Sequence, residues 1–194
     1  IGGATNTKTA ASDLVVNGNL LISVGTLDMG SNNYELTIGI NTNTNIGSLN
    51  ISSGASFVAR GGVHTMNGDW SNSGTFIHNN GTVVFSLSQT ISGSVNGNIS
   101  GDNNFNNLTI DIDSFNPDNL NLNGQNRVEG TLNLVDGFII SGNLHMNNNS
   151  SVTNASLNSH IIADYGYATI TKDFFDPQAF TFPVGTSFGY RPIT

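Results

Sequence analysis

The chain has 194 residues, of which 9% are charged against roughly 25% in an ordinary globular protein, and its net charge is −8. Its five basic residues, Lys8, Arg60, Arg127, Lys172 and Arg191, are scattered, which excludes a nucleic-acid surface and an anionic-membrane surface, because both need clustered cations. The lack of cysteine excludes a disulfide framework and thiolate metal sites, and no apolar run reaches the length of a membrane-inserting helix.

Polarity comes instead from 31 Asn, 40 Ser plus Thr and 23 Gly. Asn and Gly tolerate positive φ, so such a chain is built to bend often. The opening "IGGATNTKTAASD" has neither the basic nor the apolar part of a signal peptide. The closing "GYRPIT" stops inside a predicted strand, so both ends read as cuts in a longer protein. Between them lie short alternating runs: "NLLISV", "YELTIGI", "SLNISS", "TFIH", "TVVFSL", "NLTIDID", "NLNLNG", "TLNLVDG", "FIISG" and "NLHMNN". Each is bounded by Gly, Asn, Asp or Ser, which is the pattern of strands separated by turns. No sustained helical stripe of apolar residues occurs.

The runs also repeat. "VNGNLLISVGTLDMGSNNYELTIG" (16–39) aligns with "VEGTLNLVDGFIISGNLHMNN" (128–148), and "SLNISSG" at Ser48 matches "TLNLVDG" at Thr131. Apolar centres near Leu49, Trp70, Ile91, Ile110, Leu132 and Val152 lie roughly twenty residues apart, the length of one solenoid coil. Stacked coils favour uncharged Asn, Ser and Thr, which can form side-chain ladders where stacked charges would repel. "HNNG" (78–81) is ambiguous: Asn80-Gly81 between alternating runs is a strong hairpin signal. The repetition around it favours a solenoid corner, which would pair Phe76 and Phe85 with neighbouring coils in parallel. After residue 160 the composition shifts: Asn disappears, and three of the four Tyr, five of the eleven Phe and three of the four Pro follow. The predicted fold is all-β: a right-handed parallel β-solenoid (β-helix) over 1–160. Residues 161–194 are expected to form a cap or the first strands of a β-sandwich, with Phe174, Phe175, Phe180, Phe182 and Phe188 as its core.

"MNGDWSNSGTFIHNNGTVVFSLSQTISG", "FNNLTID", "VEGTLNLVDG" and "ATITKDFFDPQAFTFPVGTSFGYRPIT" together resemble the Asn/Gly/Thr-rich repeat region of large exported cell-surface proteins of Bacteroidota, the Flavobacterium- and Cytophaga-like bacteria. The resemblance covers about residue 66 to the end, with 1–65 as preceding coils. It implies export by the type IX route through the outer-membrane export machinery, an extracellular or cell-surface location, and adhesin-like, gliding or coating roles. It transfers no catalytic residue. The expected function is a structural or adhesive stalk or filament segment, not an enzyme, with other copies of itself or surface glycans as partners. The alternative is a carbohydrate-binding or carbohydrate-cleaving β-helix module.

Chemistry-bearing residues are few. Asp111 and Asp113 alternate onto one strand face about 7 Å apart, and with Asp118 they form a calcium candidate, since Ca²⁺ takes six to eight oxygens. A solvated strand end is the simpler reading. Trp70, with Phe76 and Phe85, is a candidate sugar-stacking platform, although core packing suits it better. His64, His78, His145 and His160 show no metal-pair spacing and read as surface or turn residues. "NTNTN" (41–45) hints at a threonine row of the kind that orders water and binds ice, but an ice-binder should repeat the word on every coil. No cofactor is expected apart from the calcium candidate.

Overall fold

A computed structural model describes residues 6–39, 47–86, 97–112, 119–164 and 168–194. Among them no helix occurs, and the elements are strands throughout. In chain order these are β1 (Thr7–Thr9), β2 (Leu14–Val16), β3 (Leu20–Ile22), β4 (Gly25–Asp28), β5 (Leu36–Ile38), β6 (Leu49–Ile51) and β7 (Ala55–Val58). Then come β8 (Val63–Met66), β9 (Trp70–Asn72), β10 (Thr75–Ile77), β11 (Thr82–Phe85), β12 (Gly97–Gly101), β13 (Asn103–Phe105) and β14 (Asn107–Asp111). The last are β15 (Asn119–Val128), β16 (Thr131–Met146), β17 (Ser151–Thr153), β18 (Ser159–Ile162), β19 (Ala168–Lys172), β20 (Val184–Thr186) and β21 (Gly189–Tyr190).

Every strand but β21 pairs in parallel with the strand one turn away, so the chain coils into a β-solenoid of about seven turns. One face stacks β2, β5, β8, β11, β14, the start of β16, and β17. A second stacks β3, β6, β9, β12, β15, the middle of β16, β18 and β20. The third holds β1, β4, β7 and β10, and in the later turns β13, the ends of β15 and β16, and β19. β16 makes a full turn alone, because its residues pair in succession with β17, β18 and β19.

Strand alternation turns every second residue inward, and the coils stack these into columns. Ile38, Met66, Phe85, Ile110 and Leu134 form one, and each is fully buried. A fully buried side chain of this kind contributes about 1.5–3 kcal/mol, and the column is continuous from turn to turn. On the third face Phe57 stacks on Phe76, with Trp70 edge-on to both rings. Polar inward residues are satisfied between coils: Asn103 donates to Asn126 Oδ1 at 3.1 Å, a buried amide ladder.

"HNNG" is a corner. Asn79 and Asn80 adopt positive φ, Gly81 N donates to His78 O, and Phe76 and Phe85 pair in parallel with Phe57 and with Met66 and Ile110. Parallel pairing also runs on past residue 160, through β19 on β16 and β20 on β18, before β21 turns back antiparallel on β20. Three of the phenylalanines expected in a tail core are on the surface: Phe174 is exposed, Phe175 is 82% exposed and Phe188 92%. Among the described residues no second layer faces these short segments, and of the five phenylalanines only Phe180 packs against the solenoid core.

Candidate functional site

Inward positions are committed to packing, so any binding chemistry must lie on the outer faces or at the corners. The richest set is on the third face, where β15, β16 and β19 lie side by side. Register places Gln125 beside Asn143 and Asn143 beside Thr169 in one row, and Arg127, His145 and Thr171 in the next. They line a groove of about 430 Å³. Arg127 Nη1 donates to Asn147 Oδ1 at 2.9 Å. The His145 ring is held by Thr171 Oγ1 at 2.9 Å and Asp173 Oδ2 at 3.0 Å. Guanidinium, amide, imidazole and hydroxyl groups converge here, a set suited to a hydroxyl-rich or anionic ligand. Sequence reasoning missed this groove. Its members come from three turns, and no local motif joins them.

The Lys172 side chain falls at an inward position, opposite Met146, where the core ends. Its ammonium donates to the carbonyls of Asn147, Asn148 and Ser150 at 2.6–2.9 Å and lies 4.8 Å from the Phe180 ring centroid. Burial lowers its pKa. The lysine closes this end of the core and supplies the hydrogen-bond donors that those carbonyls would otherwise take from water.

Trp70 presents no face to a sugar. It is fully buried, its Nε1 donates to Asn103 Oδ1 at 2.8 Å, and its ring meets Phe57, Phe76 and Phe105. The aromatic residue that looked like a platform is the centre of the core, because β9 turns it inward against Leu49 and Ile99. Of the calcium candidates, Asp111 sits exposed at the end of β14, in register with Asp136, while Asp113 and Asp118 lie outside the described residues. Among the described residues no cluster of three His, Cys, Asp or Glu could hold a metal ion.

Two histidines read as surface residues are buried. His64 occupies an inward position between Leu36 and Val83, its Nε2 donates to Ala59 O at 2.6 Å, and burial lowers its pKa to about 4. His160 is wedged between Phe138 and Tyr190, with Nδ1 facing Ser156 O and Nε2 facing Thr186 O. It ties the corner before β18 to β20. His78 lies 3.2 Å from Glu129 at a corner. An ion pair braces an earlier corner: Arg60 makes two bonds to Asp28 and holds that carboxyl below its ordinary range. Comparison with protein-family models, with curated proteins and with solved structures finds no match.

Proposed function

We propose that this chain is a structural and adhesive segment of an exported cell-surface protein. The observation that supports it is the uninterrupted stacking of one hydrophobic core through about seven turns. The ladders between coils extend about 30 Å along the axis, and they suit a spacer that holds a binding region away from a surface. The outer faces are rich in Asn, Ser and Thr and poor in charge, which suits contact with glycans or with other copies of the chain. Deleting this segment in frame from the parent protein should leave export intact and reduce attachment of the producing cells. Unchanged attachment would sink the adhesive part of the reading.

A second reading, a carbohydrate-binding module, is favoured by the groove of Gln125, Arg127, Asn143 and His145. On a glycan array the chain should then retain a defined set of sugars, and Arg127→Ala should abolish retention without lowering the melting temperature. Reducing ends released from the bound sugars would indicate a cleaving module instead.

A further inference from the structure

The face built from β8, β11, β14, β16 and β17 has a property that none of its segments shows alone. Its inward residues are core, its first two outward positions form two columns, and a further outward position of β14 holds Asp111, in register with Asp136. Register aligns Val63, Thr82 and Asn107, and Thr131 with Ser151, in one column, and Thr131 N donates to Asn107 Oδ1 at 2.9 Å, which joins the two parts. Register aligns Thr65, Val84, Thr109, Asn133 and Thr153 in the other. All ten are uncharged, in a chain of net charge −8. Every one offers a hydroxyl, an amide or a methyl group.

Side-chain bonds between turns hold the columns in place. Asn107 Nδ2 donates to Thr82 Oγ1 at 3.3 Å, and Thr131 Oγ1 and Ser151 Oγ lie 3.3 Å apart. Thr153 Oγ1 donates to Asn133 Oδ1 at 3.0 Å. A shallow groove of about 440 Å³ is lined by members of both columns.

The backbone sets the dimensions of this array. Neighbouring strands are about 4.8 Å apart, and alternate residues along a strand about 6.6 Å apart. Coil-on-coil stacking with side-chain ladders keeps such a face flat. The result is a near-rectangular net of hydroxyl and amide groups with methyl groups between them. Its two repeats approximate the oxygen repeats on the prism planes of hexagonal ice. Hydroxyls and amides anchor water by hydrogen bonds, and the methyls order the water that bridges between anchors. Charged side chains would impose their own hydration shells; the two columns hold none, and the carboxylates of Asp111 and Asp136 lie in register beyond the second column, at its edge. The ten residues of the two columns are neutral, and a lattice of neutral water matches them in charge as well as in spacing.

We propose that this face binds ice, with the groove between the columns holding ordered water that merges with the lattice. The inference stands apart from surface display, since the face is the same whether the parent protein is anchored or released. The sequence conceals it because the five rows read VHT, TVV, NLT, TLN and SVT and recur at unequal steps. The "NTNTN" word that hinted at ice lies outside the described residues.

The test uses the 194-residue chain and purified ice. Single crystals grown in its presence should become faceted, and recrystallisation of a frozen sucrose solution should stop. Thr109→Tyr, at the centre of the face, should raise the concentration required by about tenfold, because a bulky ring holds the face off its partner. Thr169→Tyr, on the third face, should leave it unchanged. If Thr109→Tyr lowers the melting temperature, Thr153→Lys on the exposed last row must show the loss instead. Round crystals and normal recrystallisation with the unaltered chain overturn the proposal. So does full activity in a folded Thr109→Tyr or Thr153→Lys variant.

Discussion

His64 sits in a column that is otherwise apolar, between Leu36 and Val83, and the consequence is a dependence of stability on pH. Burial holds its pKa near 4, below the ordinary 6.5, so the folded protein carries it neutral. The unfolded chain takes up a proton near pH 6.5. Stability contributed by the neutral ring is therefore complete above that pH, falls between pH 6.5 and 4, and changes no further below. The loss across that window is about 3 kcal/mol. Urea unfolding at pH 7 and pH 4.5 should show this fall, and His64→Leu should flatten it. A fall of equal size in His64→Leu would place its cause elsewhere. The residue scale is also where sequence reading was least secure. Core packing suited Trp70 better than a sugar platform, and it is fully buried. Phe175 and Phe188 were not legible as surface residues, since composition does not reveal whether a second layer exists to bury them.

Corners are the elements that set the coil. Gly101, Gly124 and Gly142 stand at the same corner in successive turns with φ near +90°, and each backs onto a backbone oxygen of the turn before. A β-carbon at Gly124 would lie 2.4 Å from Gly101 O. Gly124→Ala should therefore cost about 2–3 kcal/mol, combining the penalty of positive φ with displacement of the neighbouring coil. Gly54 also has positive φ but faces open space, so Gly54→Ala should cost only about 1 kcal/mol. Thermal unfolding of the two variants checks the contrast, and equal shifts would refute the stacking argument. At this scale strands and corners were legible, but the phase of the repeat was not. "SLNISSG" and "TLNLVDG" look alike, yet the first forms β6 on the second face and the second opens β16 on the first. The expected spacing of twenty held where Leu49 meets Trp70 and Leu132 meets Val152. It failed where Leu36 meets His64, which are 28 residues apart.

For the whole molecule, stability is close to a sum over turns and their interfaces, since each turn touches only its neighbours. The central turns, β8 to β16, have a coil on both sides, whereas β1–β3 and β19–β21 have one. Hydrogen exchange should therefore be slowest at Met66, Phe85, Ile110 and Leu134 and fastest in the end turns. Lys172, with its three carbonyl partners, should make the C-terminal end the slower of the two to exchange. Uniform protection along the chain would mean that it unfolds as a single unit.

The sequence by itself determined the strands, the corners, the parallel coiling and the scarcity of charge, because alternation and Asn/Gly punctuation are local properties that survive any packing. Only the tertiary structure decided which strand lies beside which, and hence the groove around Arg127 and the two columns around Thr109. The physical reason is that parallel backbone ladders accept corners of different lengths. Residues that meet in space, such as Val63 with Thr82 and Thr82 with Asn107, are separated by unequal stretches of chain.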